Sequence, residues 1–167
     1  MNDRYVAIGG DPYRDWWQQQ FATPPETLRG CSFWQRGRFS IWIAAADVDP
    51  GEVAPVDGVG IPFLRTGREV WKPTSVAVIE FGLHATRNVV ELQRDELLCF
   101  LDRQTIEFAE ADARGTLANR GFVIARYQGV PVGCGLWRRG TLVSAVPKGR
   151  SMADLDLPID TSRPVTR

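Results

Sequence analysis

Apolar and polar residues alternate in the C-terminal third of the chain, in short runs that are separated by turn sequences. Apolar residues recur at two-residue steps in GFVIARYQGVPVGCGLWRRGTLVSAVPKGR, which spans residues 121–150. The runs are interrupted by Gln128-Gly129 and Arg139-Gly140, and two-residue connections that contain glycine are typical of hairpin turns. The pattern therefore predicts a unit of short antiparallel strands in this region.

The N-terminal half has a different pattern, which predicts a helix followed by a hairpin. Asp11-Pro12 begins the helix, because proline is favoured at the first helical position, and Pro24-Pro25 stops it. CSFWQR, a Gly37-Arg38 turn and FSIWIAA then predict two paired strands. We expect these strands to share one apolar face, which consists of Phe33, Phe39, Ile41 and Ile43.

The middle of the chain predicts four more elements. VGIPFLRTG is typical of a strand, with Pro62 at a sheet edge or an irregularity. Thr74-Ser75 can cap a helix that runs through VAVIEFGLHA, and NVVEL predicts a short strand after it. Residues 93–102 predict a helix with one buried stripe, which consists of Leu97, Leu98 and Leu101.

Charge is segregated along the chain, although its 20 basic and 20 acidic residues cancel. Residues 91–112 contain seven acids and two arginines, whereas residues 113–153 contain seven bases and no acid. A compact β unit with an uncompensated positive face is typical of a protein that binds a polyanion, and RNA is the commonest candidate.

Several classes of chemistry lack their motifs. His84 is the single histidine, and no CxxC pair is present, so we expect no metal site. Gly58-Val59-Gly60 and Gly133-Cys134-Gly135 lack the third glycine of a nucleotide-binding loop. We therefore predict no cofactor and assign no catalytic residue.

The three cysteines, Cys31, Cys99 and Cys134, are odd in number and far apart, which favours reduced and mostly buried thiols. No apolar run is long enough to cross a bilayer, and the N-terminus lacks the pattern of a secretory signal. We expect a cytoplasmic protein without a membrane partner.

The C-terminal stretch resembles the terminal domain of RsmF-type (Sun-family) RNA cytosine-5 methyltransferases, which is a PUA-like RNA-binding module. The resemblance rests on Gly121, Gly129, Pro131, Gly133, Gly135, Gly140, Leu142, Pro147, Lys148, Gly149 and Arg150. GIPFLRTGREVWKPTSVAVIEFGLHATRNVVEL is similar to the region before that module. The whole arrangement, including FWQRGRFSIWI, also resembles small stand-alone archaeal proteins of unassigned function.

This resemblance implies an α+β fold, in which a PUA-like mixed β-barrel at the C-terminus packs with an N-terminal helix and hairpin region. The corresponding parts are an N-terminal α+β region at 1–90, a PUA-like RNA-binding region at 91–152 and a loose tail at 153–167. The cysteines do not stand in the Pro-Cys and Thr-Cys settings of the methyltransferases, and their catalytic domain is absent. The resemblance therefore implies an RNA-binding protein without catalysis.

Eight basic residues are the predicted RNA-binding positions: Arg65, Arg68, Lys72, Arg87, Arg138, Arg139, Lys148 and Arg150. Lys148 and Arg150 resemble the PKGLR end of the family, and the other positions lie in or near Gly-containing turns and around Trp71. Trp71 itself is expected to pack in the core, since most tryptophans in a chain of this size do so.

The sequence thus predicts a non-catalytic protein that recognises structured RNA, such as tRNA or rRNA, in RNA modification or ribosome biogenesis. Two alternatives stay open. The chain could be an interaction subunit for a separately encoded RNA-modifying enzyme, with the acidic segment as the contact. It could also be an RNA-processing enzyme on a PUA-like scaffold, because fold does not fix function.

Overall fold

The computed structural model describes residues 5–50, 58–109, 117 and 120–148. An N-terminal sheet contains β1 (Tyr5–Ile8), β2 (Cys31–Arg36), β3 (Ser40–Ala45), β4 (Ile61–Arg65) and β5 (Lys72–Pro73). A C-terminal sheet contains β6 (Val89–Glu91), β7 (Thr105–Glu107), β8 (Arg120–Tyr127), β9 (Val130–Arg138) and β10 (Thr141–Ser144). The helices are α1 (Asp11–Phe21), α2 (Ser75–Phe81) and α3 (Arg94–Leu101), with a 3₁₀ turn at Pro25–Leu28. The predicted α+β fold is confirmed.

The N-terminal sheet is an antiparallel meander in which the strands pair in chain order. The predicted β2–β3 hairpin and its Gly37-Arg38 turn are confirmed. The register between β3 and β4 shifts opposite Pro62, so this proline marks an irregularity and not a sheet edge. The prediction was wrong for Phe39, which precedes β3 in the turn and is 46% exposed.

The C-terminal sheet is mixed, with strand order β6-β8-β9-β10-β7. β6 runs parallel to β8, and the other pairs are antiparallel. Gln128-Gly129 joins β8 to β9 with φ values of 51° and 77°, and Arg139-Gly140 joins β9 to β10 with φ values of 43° and 85°. Positive φ at both central residues is the type I′ arrangement, whose twist matches that of a hairpin. Both predicted turns are confirmed.

The two faces of the C-terminal sheet pack against different partners. On one face, Val123 and Leu142 are buried in a cluster with Phe100 of α3. A Cβ atom at Gly135 would lie 2.5 Å from Leu142 Cδ1 and 3.2 Å from Phe100 Cε2, so the glycine leaves room for this packing. On the other face, Ile124 and Cys134 are buried in a cluster that includes α1, α2 and the N-terminal sheet.

Hydrogen bonds also join the N-terminal region to the C-terminal sheet. Gln20 of α1 donates from Nε2 to the carbonyl oxygen of Phe122 at 2.8 Å, and Asn88 Nδ2 donates to the carbonyl oxygen of Gln20 at 2.7 Å. Ser75, at the start of α2, accepts a hydrogen bond from the backbone N–H of Cys134 at 3.2 Å. These contacts fix how the two sheets face each other, and they thereby position the candidate site.

Three sequence expectations need a correction or lie outside the described residues. Phe100 is the fully buried residue of α3, whereas Leu98 is 41% exposed, so the predicted leucine stripe was wrong at Leu98. The short strands β1, β5 and β7 were not predicted. The expected tail at 153–167 and most of the polar loop before β8 lie outside the described residues.

Candidate nucleic-acid interface

A cleft of about 570 Å³ lies between the N-terminal sheet and the C-terminal sheet. Its basic side chains are Arg65, Arg68, Lys72 and Arg103, and no acid is among the described residues that line it. Three of these four were predicted from the sequence. The fold brings them together with Arg103, which belongs to the acidic stretch of the sequence and was not predicted.

Each basic residue reaches the cleft from a defined position. Arg65 ends β4 and donates a hydrogen bond to Ser40 Oγ, and Lys72 begins β5. Arg68 is exposed in the loop between these strands, and Arg103 follows α3 with a φ of 62°. Within the described part of the chain, the side chains of Arg68, Lys72 and Arg103 make no hydrogen bond or ion pair, so their donors are available to a ligand.

The cleft also has apolar walls. Phe39 is 46% exposed and Val143 is 37% exposed, and both line the cleft together with the half-buried Phe122 and Leu136. The Arg38 guanidinium lies over the Phe39 ring, 4.9 Å from its centroid. A surface that combines unpaired cations with exposed aromatic and aliphatic groups can contact both the phosphates and the bases of a nucleic acid.

A second cavity, of about 490 Å³, is lined by Arg120, Arg138, Arg139 and Thr141. Arg120 on β8 lies directly opposite Arg138 on β9 in the strand register. Arg138 and Arg139 were among the predicted residues, whereas Arg120 was noted only as part of the basic run. Among the described residues that line this cavity there is no acid.

The remaining predicted residues lie apart from the cleft. Arg87 donates from Nη1 to the carbonyl oxygen of Gln19 at 2.8 Å and lies beside the C-terminal end of α1, so it does not join Arg65, Arg68 and Lys72. Lys148 is exposed after β10 and lines neither cavity. Arg150 lies outside the described residues. The assignment of these residues to RNA binding stays a prediction.

Arg126, although it belongs to the basic run, has a structural role. Its Nη2 atom donates to the carbonyl oxygens of Gly82, Leu83 and Ala85 at 2.9, 2.7 and 2.8 Å, directly after α2. Burial lowers the pKa of Arg126, and the nearby Glu91 carboxylate partly opposes that shift. This guanidinium therefore holds the end of α2 against β8.

Trp71 packs as expected, with its ring centroid 5.4 Å from that of Tyr13 and 6.0 Å from that of Trp16. Cys134 is fully buried, and desolvation raises its pKa to about 12, against a small opposing effect of Lys72. A thiol with this pKa is not a nucleophile at neutral pH.

The described ranges contain neither a cluster of metal-ligating side chains nor a membrane-spanning helix. No group of three or more His, Cys, Asp or Glu side chains in these ranges could hold a metal ion. Nor do they contain a helix with the length and apolar character that crossing a bilayer needs.

Comparison with known families assigns two parts of the chain. Residues 87–152 match the model of the methyltransferase RsmF PUA domain. This segment is a PUA-like domain of the RsmF type. This match supports RNA as a partner of the segment. The PUA-like domain contributes Arg103, Phe122, Leu136 and Val143 to the cleft.

Residues 12–60 match a second family, which is described as a family of unknown function (DUF7122). This segment contains α1, β2 and β3 and supplies Phe39 to the cleft. Arg65, Arg68 and Lys72 lie between the two matched segments. No curated protein matches the chain.

Sequence reasoning missed Arg103 because its neighbours along the chain are acidic. Its position depends on the length of α3, since the residue lies in the turn between α3 and β7. Arg120 carried a usable signal: it is the last base before the alternating pattern of β8 begins, and a strand that starts there places it opposite Arg138.

Proposed function

We propose that this protein binds structured RNA, tRNA or rRNA, without catalysis of its own, in RNA modification or ribosome biogenesis in the cytoplasm. The observation that supports this proposal best is the cleft between the two sheets. Its described lining combines four basic residues and no acid with exposed apolar groups, and one side of it is formed by the PUA-like domain.

Electrostatics favours a polyanion in this cleft. Arg68 and Lys72 approach from the β4–β5 region and Arg103 from the turn after α3, and the cleft concentrates their charge at one place. Like charges that are brought together without acidic partners repel each other, and bound phosphates remove that repulsion. A surface that contacted only uncharged groups would gain nothing from this concentration of positive charge.

The non-catalytic part of the proposal is tested with S-adenosylmethionine. We expect no heat of binding when the cofactor is titrated into the protein in a calorimeter, because neither a cofactor loop nor the cysteine settings of the methyltransferases are present. A saturable titration with a micromolar dissociation constant would contradict this part of the proposal.

RNA binding through the cleft is tested with the double variant Arg68→Gln, Arg103→Gln. Each neutralised phosphate on a single strand contributes about 0.7 to the slope of log K against log salt concentration. The four basic residues of the cleft should contribute about −2.8 to the slope, and the two that remain in the variant about −1.4. Between about 50 and about 200 mM salt, the cleft should account for about a 50-fold loss of affinity in the wild type and about a 7-fold loss in the variant.

The matched control is the double variant Arg29→Gln, Arg94→Gln, which removes two exposed guanidinium groups outside the cleft. Its salt slope for tRNA or rRNA fragments should stay within about 0.3 of the wild-type slope, below the change for a single lost phosphate contact. Equal losses in the two double variants would show diffuse electrostatic binding and contradict the cleft as the site. If the wild type binds neither RNA, the interaction-subunit alternative replaces the proposal.

A further inference from the structure

One face of the C-terminal sheet changes character along its strands. At one end Ile124 and Cys134 lie opposite each other and are buried under α2 and the N-terminal region. The next row on the same face is Phe122, Leu136 and Val143, and the row after that is Arg120, Arg138 and Thr141. Residues two positions apart on a strand share one face, so the register alone fixes this sequence of rows.

The last two rows line the two cavities, which we call together the open face. Phe122, Leu136 and Val143 line the cleft, and Arg120, Arg138 and Thr141 line the second cavity. Two residues of an antiparallel strand span about 7 Å, so the two rows follow each other directly along the sheet. The cleft and the second cavity are therefore consecutive parts of one surface.

The charges of the open face are arranged unfavourably for the protein alone. Arg120 and Arg138 form a direct cross-strand pair of like charges, which destabilises a sheet. The nearest acid in this row is Glu107 on β7, opposite Thr141, and among the described residues it forms no ion pair with either arginine. A bound polyanion would offset this repulsion.

The row of Phe122, Leu136 and Val143, called the apolar row below, favours unpaired RNA over duplex RNA. In a duplex the flat faces of the bases are stacked inside the helix, so only phosphates, sugars and groove edges reach a protein. An unpaired strand exposes its base faces, which bind to aromatic side chains, to Arg guanidinium planes and to apolar surface. The Phe39 ring with the Arg38 guanidinium over it forms the wall beside this row.

We propose that the open face binds an unpaired RNA strand, with bases in the cleft and the following phosphates on Arg120, Arg138 and Arg139. This inference rests on the proposed RNA-binding function and narrows it to the unpaired segments of a structured RNA. The apolar row and the Phe39 wall contact the bases, and the cations of both cavities contact the backbone on either side of them.

The test compares a single-stranded RNA of about 12 nucleotides, a length within the usual range for one strand-binding module, with the same sequence paired into a duplex. The full chain should bind the single strand at least about tenfold more tightly than the duplex at equal salt, because only the single strand offers its base faces. Phe39→Ala should weaken binding of the single strand by about fivefold or more and leave duplex binding unchanged.

A second variant tests the row that contains Arg120 and Arg138. Arg120→Gln with Arg138→Gln should make the salt slope for the single strand shallower by about 1.4, and the control Arg29→Gln with Arg94→Gln should not. Both changes lie at exposed positions, where substitutions have little effect on the free energy of unfolding. Circular dichroism of each variant checks that its fold is intact.

The outcomes separate this inference from the proposed function. Tight binding of the duplex with no effect of Phe39→Ala would overturn the unpaired-strand inference and leave RNA binding through the cleft intact. Binding of neither RNA by the wild type would overturn both. Preference for the single strand, lost in Phe39→Ala and reduced in the arginine variant, would support the open face as the site of an unpaired strand.

Discussion

Replacing Arg126 by methionine should destabilise the fold, although the residue belongs to a basic run that resembles a binding surface. The Nη2 atom of Arg126 carries two hydrogens, which three carbonyl oxygens after α2 share at 2.7 to 2.9 Å. Two hydrogen bonds from a charged donor contribute about 1.5 kcal/mol each. The buried Nε of Arg126 has no hydrogen-bond partner among the described residues. The cost of burying this unpaired donor lowers the net contribution of the side chain to the free energy of unfolding to about 2 kcal/mol.

In a chain of this size, 1 kcal/mol corresponds to about 2–4 °C in the midpoint of thermal unfolding, so Arg126→Met should lower the midpoint by about 4–8 °C. Differential scanning calorimetry measures this directly. Arg138→Met is the matched control, because Arg138 is exposed on the neighbouring strand, and it should change the midpoint by less than about 2 °C. Equal midpoints for Arg126→Met and the wild type would refute the structural role of this guanidinium.

Three further predictions concern the Cys134 thiol and the backbone conformation at Gly60. Cys134 should react with a thiol reagent only after denaturation, and rapid labelling in the native protein would contradict its burial. The folded pKa of Cys134 is about 12, above its ordinary value of 9.0, so the stability that the neutral thiol provides should be complete below about pH 9 and should fall as the pH rises towards 12. Denaturant titrations should therefore show a smaller loss of stability at alkaline pH for Cys134→Ala than for the wild type. An identical loss in the two proteins would refute the raised pKa. Gly60→Ala should lower the free energy of unfolding by more than Gly30→Ala does. Both glycines have positive φ, but only a Cβ atom at Gly60 would meet a backbone atom, the carbonyl oxygen of Ile43. Equal losses in the two variants would show that this contact does not matter.

Features that depend on residues close together in the chain could be predicted from the sequence. The turns at Gln128-Gly129 and Arg139-Gly140 follow from glycine at positions that require positive φ, and the strands around them follow from the two-residue period. Thr74 caps α2 as predicted, accepting a hydrogen bond from the backbone N–H of Ala77.

Features that depend on distant residues could not be predicted in the same way. β7 has only three residues, and it is a strand because it pairs with β10 at the edge of the sheet. The roles of Arg103 and Arg126 depend on how α3 and α2 pack, since one guanidinium reaches an open cleft and the other a helix end. Arg103 lies in a turn and Arg126 within β8, and their charge does not distinguish the two roles. The cleft itself exists only because two separate sheets face each other.

The central claim, that RNA lies in the cleft between the two sheets, is tested most directly by mapping the points of contact. RNA that carries a photoreactive base is cross-linked to the full chain, and the attached peptides are identified by mass spectrometry. We expect cross-links at Phe39 and between Arg65 and Lys72 on one side of the cleft, and between Phe122 and Val143 on the other side. Cross-links confined to α1 and the region around Arg87, on a different surface, would contradict the claim.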